Sequence, residues 1–339
     1  MTTPKVAQKV TTTQASSKDV LSSKTILPPT LAKSVSAFNH PCYSLSDVVK
    51  DAQVSAAIQA MLKPVLTHLG LSVKLSDAVM DKCLRYARDY PQDKYEKNAR
   101  QVLVKSGILE SGSGASALEK ALINRSLEIS LQITPYLVPG SVCDYGCGDG
   151  QVGQDLNHNG YDVVLADVYT HPDVELFGLP FHLLSQGGKA PFKDNTFDNT
   201  LALTVYHHCD DPILALEETV RITRPGGRIV AIESVFGVKR SDNPVIWTKE
   251  NPSLSAYLAL TSEQQRMVNI FFDHLYNRVL HYSEKPDGKV NVPFNFNTPS
   301  FWKEQFERLG CSVEIIPLGI DQPAVPEYHM LLVATKLPK

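Results

Sequence analysis

The chain has 339 residues, 43% of them hydrophobic, and a formal net charge of −3, which allows one large or two modest domains with an ample core. It carries no basic run that would serve as a footprint for a nucleic-acid backbone, and no stretch approaches the roughly 18 apolar residues of a membrane span. Neither nucleic acid nor membrane is therefore expected as a partner. The six cysteines, at positions 42, 83, 143, 147, 209 and 311, show no C-x-x-C spacing and read as reduced cytoplasmic thiols, not a disulfide framework.

Residues 1–40 are rich in Thr, Ser, Lys and Pro, with Asp19 the one acid. They are expected to form a disordered tail. A transit peptide would be similarly acid-poor, but no arginine occurs before Arg85. From Ser44 to Leu137 apolar residues recur at helical spacing, as in Val54, Ile58, Met61, Leu62 and Val65. Pro64 is expected to kink or end that first helix. Further helices are expected over Ser76–Tyr90, Lys94–Ser106 and Ala115–Thr134, with Gly112 and Gly114 marking a turn. Residues 41–137 thus read as a helical N-terminal domain, whose apolar positions serve as core or as a homodimer contact.

The catalytic half starts at residue 138. A short apolar run, Ser141 to Tyr145, reads as a buried strand carrying Asp144, and Gly146, Gly148 and Gly150 follow at alternate positions. Glycines there admit a sharp turn with φ > 0 and close approach of a ligand, and the next helix offers free N–H groups. A second apolar run, Asp162 to Ala166, ends in Asp167. Gly148-x-Gly150-x-x-Gly153 satisfies a dinucleotide pattern that is weak by itself. Asp144 decides between the ligands: a carboxylate repels a pyrophosphate but attracts the ammonium and sulfonium of S-adenosylmethionine.

Those residues resemble a class I S-adenosylmethionine-dependent methyltransferase, and three later segments resemble it in order. Ala190 to Asp198 is similar to the "LPF-x-D-x-x-FD" approach to that fold's fourth strand. Val205 to Pro212 is similar to its "LHH-x-x-DP" exit. Arg221 to Gly227, followed by Arg228 to Ser234, is similar to the helix–turn–fifth-strand step. The nearest subgroup is methyltransferase type 11, the UbiE-like group. The resemblance implies a doubly wound, mostly parallel seven-stranded α/β sheet and S-adenosylmethionine as cofactor. Asp144 would then hold the methionine ammonium, Asp167 the ribose hydroxyls, and Gly146, Gly148 and Gly150 the turn. Gln186 and Gly187 fall where related chains contact adenine, though related chains often have Asp at the position of Gln186.

Gly237 to Asn297 interrupts the strand–helix alternation after the fifth strand, before a helix at Pro299–Leu309 and strands at Cys311–Pro317 and His329–Thr335. Ligands of open α/β sheets bind outside the carboxyl ends of the strands, so this insertion is expected to cover the acceptor as a lid. On the acceptor side, Glu233, His208 and His207 are the catalytic candidates, with one histidine facing the pocket and the other packing under the sheet. Tyr206 stands beside them. Within Phe271–His281, helical spacing puts Asp273, Asn277 and His281 on one face and His274 and Arg278 on the next. Arg278, His274, Asn277, Tyr206 and His281 are taken as substrate-binding, Arg278 through a carboxylate. Glu327 and His329 would close the same pocket. His208, Glu233, His274 and His281 lack a fixed ligand spacing, so no metal is assigned. The activity expected is methyl transfer to a small molecule bearing a carboxylate or amine, with an N, O or S nucleophile. A protein or RNA methyltransferase, or an inactive methyltransferase-like binding protein, is the alternative.

Overall fold

Four helices open the chain: α1 (Leu45–Lys50), α2 (Ala52–His68), α3 (Val73–Asp89) and α4 (Gln92–Ser106). The computed structural model describes residues 38, 40–109, 116–185, 187–281 and 289–338. The expected tail, apart from Phe38 and His40, lies outside the described residues, as do Gly112, Gly114 and Gln186. Side-chain oxygens of Ser44, Asp51 and Ser72 accept from the first turns of α1, α2 and α3, satisfying donors that no helix can satisfy internally. The periodic apolar residues Val54, Ile58, Met61, Leu62 and Val65 form the buried face of α2. That helix runs on through Pro64 to His68 instead of ending there. Proline has no N–H to give the Ala60 carbonyl, and the Ser253 hydroxyl lies 3.5 Å from that oxygen.

α5 (Ala117–Ile133) leads into the sheet half. There β1 (Ser141–Tyr145), α6 (Gln151–His158), β2 (Asp162–Asp167), α7 (Pro172–Phe177), β3 (Phe181–Leu183), β4 (Phe197–Leu203), α8 (Pro212–Ile222) and β5 (Thr223–Ser234) follow in turn. Beyond the insertion come α12 (Pro299–Arg308), β6 (Cys311–Gly319) and β7 (His329–Lys336). The sheet has seven strands in the order β3-β2-β1-β4-β5-β7-β6. Strands β1 to β5 are parallel, and β7 runs antiparallel between β5 and β6. Its central strands are largely apolar on both faces because helices cover both, so β1 from Val142 and β5 from Ile229 read as continuous buried runs. The reversal of strand order beside β1 sets the carboxyl ends of β1 and β4 next to each other, the place where such sheets bind ligands.

The segment after β5 holds α9 (Val245–Glu250), α10 (Pro252–Leu258), α11 (Ser262–His274) and a π-helix at Leu275–Leu280. α10 and α11 pack on α2, and the π-helix packs on α4. Every residue of α11 from Gln265 to His274 is buried, although Gln265, Arg266, Asn269, Asp273 and His274 are polar. A helix buried all round needs partners for the polar side chains it keeps, and Gln265, Arg266 and Asn269 find theirs within the protein. Gln265 holds the Gly237 and Val238 N–H groups. Arg266 binds Glu263 and the Pro41 carbonyl, and Asn269 binds the Val235 carbonyl. No helix among the described residues is long and apolar enough to cross a membrane.

Candidate active site

β1 delivers Asp144, 2% exposed, to the turn between Gly146 and Gly150. At Gly146 the glycine is required twice over: φ is +75°, and an added Cβ would stand 2.6 Å from Val205 Cγ2. Gly146→Ala is expected to lower stability by about 2–4 kcal/mol, combining left-handed strain with overpacking; a urea midpoint equal to wild type would contradict this. A Cβ at Gly153 would lie 3.1 Å from Asp144 Oδ2, so its absence lets the carboxylate sit against the start of α6. The Gly148 N–H donates to Asp167 Oδ2 at 2.9 Å, and the Val168 N–H donates to Oδ1 at 2.6 Å. Burial, reinforced by Asp149 and Asp167, pushes Asp144 up to about 7. Burial raises Asp167 as well. Two buried carboxylates facing a glycine turn fit a ligand that brings positive charge and hydroxyl donors, and they reject a phosphate. Gly187 is exposed in the loop that Tyr145 fixes by donating its hydroxyl to the Gly188 carbonyl at 2.5 Å. Val168 and Tyr169, about half exposed beside Asp167, form an apolar step that the strand pattern did not single out.

The adjoining turn leaves β4 through Thr204, whose φ of +58° is rare for a β-branched residue. Such strain persists where the surroundings over-determine the backbone. Here Glu233, at the end of β5 and fully buried, supplies that constraint. Its Oε1 accepts from the Val205 and Tyr206 N–H groups at 3.1 and 2.8 Å, and its Oε2 lies 2.6 Å from His207 Nδ1. Burial alone would lower His207, but the Glu233 charge outweighs it and raises the imidazole to about 9. The His207 ring stacks on Phe296 at 5.0 Å, and the His208 ring is 4.2 Å away. Both histidines therefore lie on one side, whereas the sequence pointed to opposite sides. Residues 206–208 form a 3-10 turn, in which the alternation of a strand does not apply. Tyr206 is the residue that packs under the sheet: it is fully buried, bonded to Thr219 at 2.8 Å, with its ring 5.6 Å from that of Trp302.

Asn291 and Asn295 clasp this turn from the insertion. Asn291 Nδ2 donates to the His208 carbonyl at 3.0 Å, and Asn295 Nδ2 to the Cys209 carbonyl at 2.8 Å. His208 Nδ1 in turn lies 3.0 Å from the Asn291 carbonyl. Burial, followed by the charge on His207, lowers His208 to about 3. Its Nε2 is 3.6 Å from Asp273 Oδ1, and Asn277 Nδ2 donates to that same oxygen at 2.7 Å. Burial pushes Asp273 up to about 6.

Of the acceptor-side candidates, the structure brings Glu233, His207 and His208 together and joins Asn277 to them through Asp273. His274 and Arg278 turn to the buried Glu96 of α4, at 3.2 and 3.1 Å from Oε1. Lys289 reaches Glu96 Oε2 at 3.2 Å. Burial would raise Glu96, but His274 and Arg278 bring it down to about 2. His281 is exposed at the end of the π-helix, its N–H donated to the Tyr276 carbonyl at 3.1 Å. The sequence pattern did not reveal Glu96, Asp273 as a partner of His208, or Arg125 of α5. Arg125 lies within electrostatic reach of Glu327, Tyr276, Asp321 and Asp149, and its Nε has no hydrogen-bond partner. A lone arginine in a helical run gives no signal of such a neighbourhood. Burial, followed by the Asp273 charge, pushes the mostly buried Glu327 up to about 7, with His207 also among its electrostatic neighbours.

Residues 143–231 match the methyltransferase domain family. An uncharacterized methyltransferase of Mycobacterium bovis is 35% identical over 100 residues, covering 28% of this chain and 41% of that protein. The demethylmenaquinone methyltransferase of Streptomyces griseus is 33% identical over 98 residues, covering 29% of this chain and 33% of its own length. The match thus spans less than half the length of these relatives. Among solved structures, Burkholderia thailandensis 1,6-didemethyltoxoflavin-N1-methyltransferase aligns over 69% of this chain and 95% of its own, with 13% identity and a TM-score of 0.39. Phosphoethanolamine N-methyltransferase 2 of Haemonchus contortus aligns over 63% of this chain and 53% of its own, with 12% identity and a TM-score of 0.41. Residues 143–231, with their acid–glycine turn and the parallel strands around it, are thus a methyltransferase domain similar to those of S-adenosylmethionine-dependent methyltransferases.

Proposed function

We propose that the protein methylates a small molecule held between the turn at Tyr206–His208 and the segment 237–297. One observation carries this reading: the glycine turn with its buried, cation-seeking Asp144 abuts Val205, the first residue of a turn that presents two buried or half-buried imidazoles. When bound, S-adenosylmethionine supplies a methyl carbon activated by the adjacent sulfonium. Asp144 would hold its ammonium. Asp167 would accept from ribose hydroxyls with the lone pairs left by the Gly148 and Val168 N–H groups, and Val168 and Tyr169 would offer an apolar face to the base.

Methyl transfer gains most from alignment and exclusion of water. Phe296, His207 and Asp273, all buried, supply dry walls. Glu233 acts as a positioning residue, fixing the turn and the His207 ring. Arg278 and His274, engaged with Glu96, fasten the insertion to α4. Arg125, whose Nε has no hydrogen-bond partner, would offer a planar fork to an acceptor carboxylate.

Incubating the purified protein with methyl-labelled S-adenosylmethionine and a fractionated small-molecule extract should label a metabolite, identified by mass. Label appearing only in protein or RNA fractions would overturn the acceptor class. Asp167→Ala should weaken binding of the cofactor by about 1–3 kcal/mol, as removal of a charged hydrogen-bond acceptor does. Calorimetry showing wild-type affinity in that variant would remove Asp167 from the site.

A further inference from the structure

We infer that His207, His208 and Asp273 form a binding site for a first-row divalent metal ion. The proposal deepens the methyl-transfer reading and rests on it for the acceptor, not for the cation. One donor atom from each of the three residues lies within 4.8 Å of the others, and His208 Nε2 already stands 3.6 Å from Asp273 Oδ1. Zinc sits about 2.0–2.2 Å from nitrogen and oxygen donors, so the three need to draw together by roughly an ångström. The residues come from separate elements, the β4–α8 turn and α11, which is why no ligand spacing is visible in the sequence.

What distinguishes this group from an ordinary hydrogen-bond cluster is the layer behind it. Metal-binding imidazoles are held by an acceptor on the second ring nitrogen, which fixes the ring and leaves the first nitrogen as donor. Both rings meet that condition: His207 Nδ1 is held by Glu233 at 2.6 Å and His208 Nδ1 by the Asn291 carbonyl at 3.0 Å. In each case Nε2 is the remaining donor. The carboxylate is oriented likewise, with Asn277 on Asp273 Oδ1 at 2.7 Å. Asp273 Oδ2 has no hydrogen-bond partner although the residue is 1% exposed. A buried carboxylate oxygen left without a donor is costly, and a cation would complete it.

Two imidazoles and one carboxylate suit borderline cations such as Zn²⁺, Fe²⁺ or Co²⁺. Three protein ligands leave at least one coordination position open, as in catalytic and not structural sites. His207 and His208 belong to the turn beside the glycine turn, so a ligand in that position would lie on the acceptor side. The acceptor class this implies is a molecule with two neighbouring oxygens, such as a hydroxy acid, that can chelate the ion while its nucleophile faces the glycine turn.

Chelator-treated full-length protein, titrated with Zn²⁺ by calorimetry, should bind a single equivalent. His208→Ala and Asp273→Asn should each weaken that binding by more than about 100-fold, beyond the about 10–100-fold expected when an outer partner is altered, as in Glu233→Gln. His182→Ala, on the exposed strand β3, should leave it unchanged. Cofactor affinity, measured on the same samples, should persist in His208→Ala and report an intact fold. A wild-type protein that takes up no Zn²⁺, or variants that bind it as wild type does, would overturn the metal site while leaving the methyl-transfer reading in place. Zn²⁺ uptake without cofactor binding would overturn that reading alone. For the acceptor, the visible spectrum of Co²⁺-loaded protein should shift on adding acetohydroxamate, a bidentate oxygen ligand, and no shift would exclude chelation.

Discussion

Glu233→Ala is expected to lower stability by about 3–5 kcal/mol, the penalty for removing one partner from a buried pair, and to abolish turnover. The carboxylate is fully buried and serves three donors, the Val205 and Tyr206 N–H groups and His207 Nδ1. Alanine leaves all three unsatisfied beside Thr204, whose left-handed backbone depends on that anchoring. Glu233→Gln separates structure from electrostatics. Its amide oxygen can still accept from the two backbone donors, so the midpoint of urea unfolding should fall far less. Its lack of charge, however, removes the main effect that opposes burial at His207 and leaves only the charges of Asp273 and Glu327. The imidazole, raised to about 9 in the wild type, should then titrate at a lower pH. Ring-proton shifts of His207 followed by NMR would show this. Equal unfolding midpoints for Glu233→Ala and wild type would mean that the turn is held by something other than Glu233.

The parts of this protein that were legible in the sequence are those encoded by short-range periodicity. The strand bearing Asp144, the glycine turn and the strand ending in Asp167 fall where apolar runs and turn chemistry put them, because buried parallel strands are apolar along most of their length. Helical spacing correctly paired Asp273 with Asn277 and set His274 beside Arg278. What spacing could not show is the far partner. Arg278 looks like a free guanidinium until α4 brings Glu96 against it, and Glu233 looks like an acceptor-side acid until the β4 turn folds over it. The same applies to Asn291 and Asn295, whose polar side chains read as loop composition but hold the backbone of the histidine turn. Pro64 failed as a helix stop for a related reason: the hydroxyl facing its orphaned carbonyl belongs to α10.

Cofactor binding should depend on pH through Asp144. Burial, with Asp149 and Asp167 adding like charge, pushes this carboxyl up to about 7 in the ligand-free protein. Raised above its ordinary value of 3.8, it binds its proton more tightly in the folded than in the unfolded chain. Its effect on stability therefore runs opposite to that of a salt-bridged acid: stability declines as pH rises from about 4 to about 7 and is level above that. The decline is on the order of 4 kcal/mol. An ammonium placed beside the carboxylate favours the charged form and offsets that cost. Below pH 7 the ligand must displace a proton to bind, so the affinity for S-adenosylmethionine should fall about tenfold for each pH unit between 7 and 5. Above pH 7.5 it should be flat until the ligand's own ammonium titrates. Calorimetry in two buffers of different ionisation enthalpy should register uptake of the released proton at pH 6 and none at pH 8. Asp144→Asn removes the charge and the titration together, so its affinity should be lower at pH 8 and independent of pH between 5 and 7. The same slope in Asp144→Asn as in wild type would assign the titration to another group, Asp167 first, and would leave the ammonium without the partner that distinguishes this turn from a phosphate-binding one.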